Sequence, residues 1–251
     1  MIKYQANEIF IYPIKSVGPV KLNTIDLADK GLRYDRHWML VYADGSMISQ
    51  REFPQLNKII CSDEKDAFKL QLIDTSFPEI SFMKDDDLKD EILVKMWGAE
   101  FNAYKTQDEL TSWFSDYLQH EIYLVTKPDR VKQLLNFSNT SLLNFQDGSP
   151  VHLVNLKSVK DLSERCGIPL DPMAFRANIY LDLESAYFED SIKQIEINGI
   201  EFKFIKPCER CIMINLRPFE DKFNKEPLLS LSKYRKEDHK VKFGIYIGAV
   251  N

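Results

Sequence analysis

Ile195-Glu196-Ile197-Asn198-Gly199-Ile200-Glu201-Phe202-Lys203-Phe204-Ile205-Lys206-Pro207-Cys208-Glu209-Arg210-Cys211 is the stretch on which fold and chemistry both turn. Asn198-Gly199 between two apolar runs is the strongest short hairpin signal, because both central residues of a type I′ turn need positive φ. The return strand, from Ile200 to Ile205, delivers the chain directly to two cysteines three residues apart. Arg210 stands beside the second of them, and a cation next to a thiol favours the ionised form, a soft and nucleophilic ligand. The pair alone leaves alternatives open, since two buried cysteines near a strand end read the same way. A zinc site needs four ligands, whereas His37, His120, His152 and His239 are scattered and no second Cys-x-x-Cys exists. A thioredoxin-like pair needs a strand-to-helix turn, and this one follows a hairpin strand.

Outward from that stretch, short strands dominate. Ile9–Tyr12 reads as a strand ended by Pro13, which lacks the N–H a ladder needs. Val20 to Leu27 reads as a second strand with a slipped apolar phase, and His37 to Tyr42 as a third, turned back at Asp44-Gly45 through Met47-Ile48-Ser49. Further strands are expected at 58–62, 68–73, 80–82, 92–94, 97–104, 122–125, 151–154, 179–181 and 243–247. Leu110, Trp113, Phe114, Tyr117 and Leu118 form the apolar stripe of a helix expected to be capped by Asp108. Asn155 is the expected cap of a second helix, stopped by Gly167, and Pro227 opens a short third one. Asp85-Asp86-Asp87 reads as a solvated loop, and residues 127–147 as polar and irregular, with a soft boundary between two halves nearby. Many short strands and few helices predict a mixed α/β, strand-dominated barrel or sandwich.

The totals bound the function. A chain of 251 residues with 44% apolar content and 9 glycines suits one large domain or two interlocked ones. The net charge of −5 argues against a general nucleic-acid binder. The start of the chain turns polar before a signal-peptide core could form, and no run of about 18 apolar residues exists to span a membrane. Four cysteines in a chain of this length do not suggest a disulfide scaffold, so a cytoplasmic location is the expectation. Neither a Gly-x-Ser-x-Gly elbow nor a Gly-rich dinucleotide or phosphate loop is present.

Several polar residues stand out against apolar surroundings. Lys15-Ser16 follows a proline-ended strand, where an ammonium, a hydroxyl and turn N–H groups together suit a phosphate, or simply make a turn. Arg36 runs into an apolar strand and Arg176 precedes another; a guanidinium in such a place must be paired or bind an anion. Asp147-Gly148-Ser149-Pro150 is a loop whose glycine lets backbone approach a ligand closely.

Together these pieces resemble one family. Tyr12-Pro13-Ile14-Lys15-Ser16, Gly31-Leu32-Arg33-Tyr34-Asp35-Arg36-His37-Trp38 and Arg51-Glu52-Phe53-Pro54-Gln55-Leu56 are similar to the N-terminal β-barrel module of MOSC proteins, expected over residues 1–125. Phe175-Arg176-Ala177-Asn178 and Cys208-Glu209-Arg210-Cys211 are similar to the MOSC domain itself, expected over 126–251 and intertwined with the first module. The resemblance, to the amidoxime-reducing branch and its bacterial counterparts, implies a molybdenum–molybdopterin cofactor ligated through Cys211. It implies Lys15, Ser16, Arg36 and Arg176 for the pterin and its phosphate, Asp147, Gly148, Ser149, Asn178 and Tyr246 as pocket residues, and Glu209 and Arg210 beside the ligand. It further implies an oxidoreductase acting on small N-hydroxylated substrates, or alternatively a cofactor carrier or sulfur-transfer module.

Three departures from the family pattern follow. Ile212 to Pro218 lacks the Thr/Asp-Pro-x-x-Gly run usual after the ligand, so the loop facing the substrate differs. Relatives continue past the position of Asn251 into one more strand, so the barrel is expected to be closed differently or left with an open edge, with Tyr246 near that point. No cluster of cysteines follows for an iron–sulfur centre, so the electrons are expected from a separate ferredoxin-, flavoprotein- or cytochrome-type protein.

Overall fold

The computed structural model describes residues 2–73, 75–85, 87–128, 130–133 and 140–250. The expected solvated loop at Asp86, and residues 129 and 134–139 of the expected irregular stretch, lie outside that set. The largest sheet has nine strands, eight of them in the order Ile2–Tyr4, Gln194–Ile197, Ile200–Arg210, Lys240–Ala249, Val151–Asn155, Ile179–Leu181, Glu8–Ile11, Val20–Leu22. Lys236–Glu237 pairs beside the path.

That order forces the sheet to curl. Ile2–Tyr4 lies at one edge, parallel to Ile195–Ile197, while Glu8–Ile11 lies next to the other edge. Laid flat, six strand spacings would separate them by roughly 29 Å. The chain from Tyr4 to Glu8 reaches no more than about 14 Å. The short link is fastened on both sides: the Asn7 N–H donates to Tyr180 O (3.0 Å) and the Ala6 N–H to Asn198 Oδ1 (2.8 Å). The hairpin turn at Asn198-Gly199 is thus also the clasp of the curled sheet.

Residues 2–22 share this sheet with residues 151–249, so the two sequence halves are interlaced. The rest of the first half supplies a four-stranded sheet, Glu91–Met96, Ala99–Lys105, Ile122–Thr126, Met39–Tyr42, and a three-stranded one, Ile59–Glu64, Ala67–Leu72, Ile80–Met83. A continuous apolar core with Trp38, Phe68, Phe114 and Phe202 fully buried joins them. The architecture is mixed α/β and strand-dominated, as the sequence predicts.

Local departures have local causes. The strand expected over 20–27 stops at Leu22 and resumes only at Leu27–Ala28, at the point where the apolar phase slips. Helix Asp108–Leu118 takes Gln107 as its cap, in a left-handed conformation without a side-chain bond; Asp108 opens the first turn instead. Asn155 caps Leu156–Cys166 through a bond from Lys157 N (3.0 Å), and Gly167 closes it at φ +67°. The final strand is not an edge: Lys240–Ala249 is paired on both flanks, by Ile200–Arg210 and Val151–Asn155, so Tyr246 sits mid-sheet. Among the described residues no helix is long and apolar enough to cross a membrane.

Candidate functional site

The curled sheet opens on a cavity of about 530 Å³, and the side chains around it arrive from both halves of the sequence. Its floor is built on Tyr12, where the first long strand breaks at Pro13. The buried Tyr12 ring carries two guanidinium groups, Arg36 at 4.2 Å and Arg176 at 4.3 Å from its centroid. Two like charges so close need compensation. Arg36 Nη1 donates to both oxygens of the fully buried Asp35 (2.7 and 2.8 Å), and Arg36 Nη2 donates to Arg176 O (2.9 Å). Asp35 Oδ1 also accepts from Tyr12 N (3.0 Å), and Arg176 Nη2 donates to Val17 O (2.9 Å). Both arginines have left-handed backbone, φ +47° and +51°, which residues of this bulk seldom adopt. Burial would lower the Arg36 pKa, but Asp35, joined by Tyr12 and Asp147, outweighs it and holds the group above its ordinary value. Arg176 lacks such a carboxylate contact, and burial pulls it down to about 10.

Lys15 follows in the turn after Pro13. Its ammonium donates to Phe145 O (2.8 Å) and pairs with Asp147. Burial pushes the Lys15 pKa down, opposed by Asp147. For Asp147 burial works in the opposite direction, and the Lys15 charge overcomes it to hold the carboxyl below the usual range. Asp147 also accepts from Trp97 Nε1 at 2.8 Å. Gly148 packs behind the wall: a Cβ there would lie 2.8 Å from the Tyr246 ring. The Asn178 amide is committed to the sheet, donating to Phe10 O (3.1 Å) and accepting from His152 N (3.0 Å).

The cysteine end is shaped by irregular pairing. The strand Ile200–Arg210 slips register against Lys240–Ala249 twice, between Phe204 and Lys206 and between Pro207 and Glu209. Each slip re-aims the side chains that follow. Cys208 ends up 1% exposed, with Arg210 Nη1 3.0 Å from its sulfur. Arg210 also donates to Phe175 O (2.9 Å) and stands 3.4 Å from His152 Nε2, while its Nε has no hydrogen-bond partner among the described residues. Burial, followed by the Arg210 and Arg36 charges, drives the His152 pKa well below its ordinary value, so the imidazole is neutral. Burial and the neighbouring Cys208 push the Tyr246 phenol up. Cys211 is half-buried, and its sulfur accepts from Arg51 Nη2 at 3.2 Å.

Every residue that the sequence singled out lies on the wall of this one cavity except Gly148, which stands behind Tyr246. Glu209 is at the rim, 3.3 Å from Lys240. The sequence reading missed Arg51, Trp97 and His152. Arg51 lay inside a quoted motif, but an exposed arginine carries no signal of what it faces. Trp97 was read as part of a strand, whereas Trp97-Gly98 is the left-handed turn between two strands. A lone histidine on an apolar strand reads as core.

Six cations line the cavity, Lys15, Arg36, Arg51, Arg176, Arg210 and Lys240, against two carboxylates, Asp147 and Glu209. Such a wall, with a thiol opening onto it, has the chemistry to attract an anionic group and a soft metal. The MOSC N-terminal beta barrel domain matches residues 4–121 and the MOSC domain matches residues 141–251. The chain belongs to the MOSC family. Mitochondrial amidoxime reducing component 2 of Rattus norvegicus is 29% identical, over 96% of this chain and 77% of that protein. Molybdenum cofactor sulfurase of Oryza sativa subsp. japonica is 28% identical over 95% of this chain, and that of Drosophila melanogaster 30% identical over 96%. The chain spans about a third of the length of those sulfurases, 32% and 31%.

Proposed function

We propose that the protein is a molybdenum-cofactor-dependent oxidoreductase that reduces small N-hydroxylated compounds with electrons from a separate electron-transfer protein. The observation that carries the reading is the convergence of a half-buried thiol and a cationic excess on one cavity. The donor set suits a pterin–phosphate carrier of molybdenum. A phosphomonoester carries about two negative charges, and Lys15, Arg36 and Arg176 supply cations in a buried setting where charge attraction is strong. The orphaned Arg210 Nε is a buried donor in need of an acceptor. On this reading a metal on Cys211 would take its remaining ligands from the organic carrier.

When bound, the cofactor supplies two-electron chemistry at molybdenum. The chain's own contribution is placement. Cys211 offers the sulfur, which opens onto the cavity with Arg51 Nη2 at 3.2 Å. His152, neutral, accepts from Arg210 without adding charge, and Tyr12 stacks two guanidiniums toward one anion. The overall reaction takes two electrons and two protons, breaks the N–O bond and releases the oxygen as water. Relatives named as amidoxime reducing components cover most of their length with this chain, which favours turnover.

Elemental analysis of protein from a molybdopterin-competent host should give close to one molybdenum per chain, and Cys211→Ala should lose it. Reduction of benzamidoxime with a chemical electron donor then tests turnover; a loaded protein that reduces nothing sinks the oxidoreductase reading. A second reading, a cofactor carrier or sulfur-transfer module, draws on Cys208, a second thiol on the same wall with Arg210 at 3.0 Å. It gains support if molybdenum is bound and no amidoxime is reduced.

A further inference from the structure

Arg51 differs from the other cations of the cavity in having almost nothing to hold it. Lys15, Arg36 and Lys240 each pair with a carboxylate. Arg176 and Arg210 donate to backbone carbonyls. The Arg51 guanidinium has only the Cys211 sulfur, at 3.2 Å, and the face of Trp97, 4.3 Å from its centre, among the described residues. Trp97 in turn is 49% exposed, the most exposed of the three tryptophans, and is fixed in a left-handed turn (φ +52°) by its bond to Asp147. After the thiol in the chain, Ile212 is 45% exposed and Met213 lines the cavity. Beside Cys211, therefore, one guanidinium lies against an exposed indole face with no carboxylate paired to it among the described residues.

Resting on the proposed reductase reading, we infer that Arg51 and Trp97 select the substrate: a flat aromatic N-hydroxylated compound bearing an anionic group, such as a carboxylate. Trp97 stacks on the ring, and Arg51 turns from the indole to the anion while remaining beside the sulfur. A guanidinium pairs a carboxylate through two parallel bonds, which neither the indole nor the thiol provides.

Binding is tested apart from turnover by quenching of tryptophan fluorescence in the full-length, cofactor-loaded protein. Trp38 is 0% and Trp113 6% exposed, so the quenching reports on Trp97. The probes are 4-carboxybenzamidoxime and benzamidoxime. The carboxylated probe should bind tighter by about tenfold or more, the scale of a charge-assisted hydrogen bond. Arg51→Gln should remove most of that ratio and Arg51→Lys restore part of it. Trp97→Ala, followed by competition against a fluorescent arene, should weaken both probes alike. Equal affinity of the two probes in the native protein, or a ratio that survives Arg51→Gln, overturns the inference. So does loss of molybdenum from Arg51→Gln, which would assign Arg51 to the cofactor. Failure of either probe to be reduced while the binding ratio holds strikes the reductase reading alone.

Discussion

The floor of the cavity and its mouth solve opposite problems with the same residue type. On the floor, Arg36 and Arg176 are half-buried against Tyr12 and their hydrogen bonds go to Asp35, Arg176 O and Val17 O. At the mouth, Arg51 is exposed and tied only to a sulfur and an indole. A cation that is already fully oriented meets an anion without further ordering, which suits a ligand held permanently. An exposed cation with replaceable contacts keeps its rotamer freedom and suits a ligand that comes and goes. The difference is one of anchoring, and each anchor can be removed.

The largest effect is expected from Asp35→Ala. It leaves the half-buried Arg36 guanidinium without its carboxylate and Tyr12 N without its acceptor, at a cost of about 3 kcal/mol, read as a lowered urea midpoint. If the floor is merely well packed rather than electrostatically balanced, the loss will be no greater than that of an ordinary core polar residue. Gly148→Ala comes next. The added methyl meets the Tyr246 ring at 2.8 Å, and overpacking of this kind costs about 1–3 kcal/mol. Because the strain falls on the cavity wall, molybdenum content should drop along with thermal stability.

Outside both regions, Glu189 provides a control for buried charge without a counter-ion. It is 0% exposed and accepts from Asn155 Nδ2 (3.0 Å) and Ser158 Oγ (2.8 and 2.9 Å), with no cation in contact among the described residues. Burial raises its pKa above the ordinary 4.5, with these hydrogen bonds opposing. A raised folded-state pKa means the unfolded chain ionises first as pH rises. The contribution of Glu189 is therefore complete below pH 4.5 and is lost as pH climbs through its folded-state value. Glu189→Gln should gain on the native protein in urea titrations as pH is raised from 4.5 to 8. A constant difference across that range would mean the carboxylate is as well solvated folded as unfolded. The smallest effect belongs to the mouth: Arg51→Gln should change global stability by no more than about 0.5 kcal/mol. A larger loss would remove the contrast with the floor.

Much of this was legible wherever a local pattern carries the information. Asn198-Gly199, the Leu110–Leu118 stripe, and the pair Asn155 and Gly167 each specify their own geometry within a few residues. The cationic set was legible for a different reason: a guanidinium in an apolar run has to be neutralised somewhere. What escaped depends on distant partners. Ile2–Tyr4 has no period of its own and is a strand only because Ile195–Ile197 offers it an edge. Gln107 takes the cap position from Asp108 with its side-chain amide donating to Met83 O and Asp85 O, partners more than twenty residues earlier. The two register slips around Cys208 follow from pairing with the final strand. Trp97 at the mouth could not be placed at all without knowing which hairpin ends beside Asp147.

The clasp made by residues 2–8 has a consequence for how the molecule is born. Its partner residues, 195–198, leave the ribosome nearly two hundred positions later, a delay on the order of 10–40 s at ordinary synthesis rates. Until then the opening segment has no docking place: both margins of the sheet, Ile2–Tyr4 and Val20–Leu22, are made first and the strands that join them last. Sequence-distant pairings of this kind also slow refolding from denaturant.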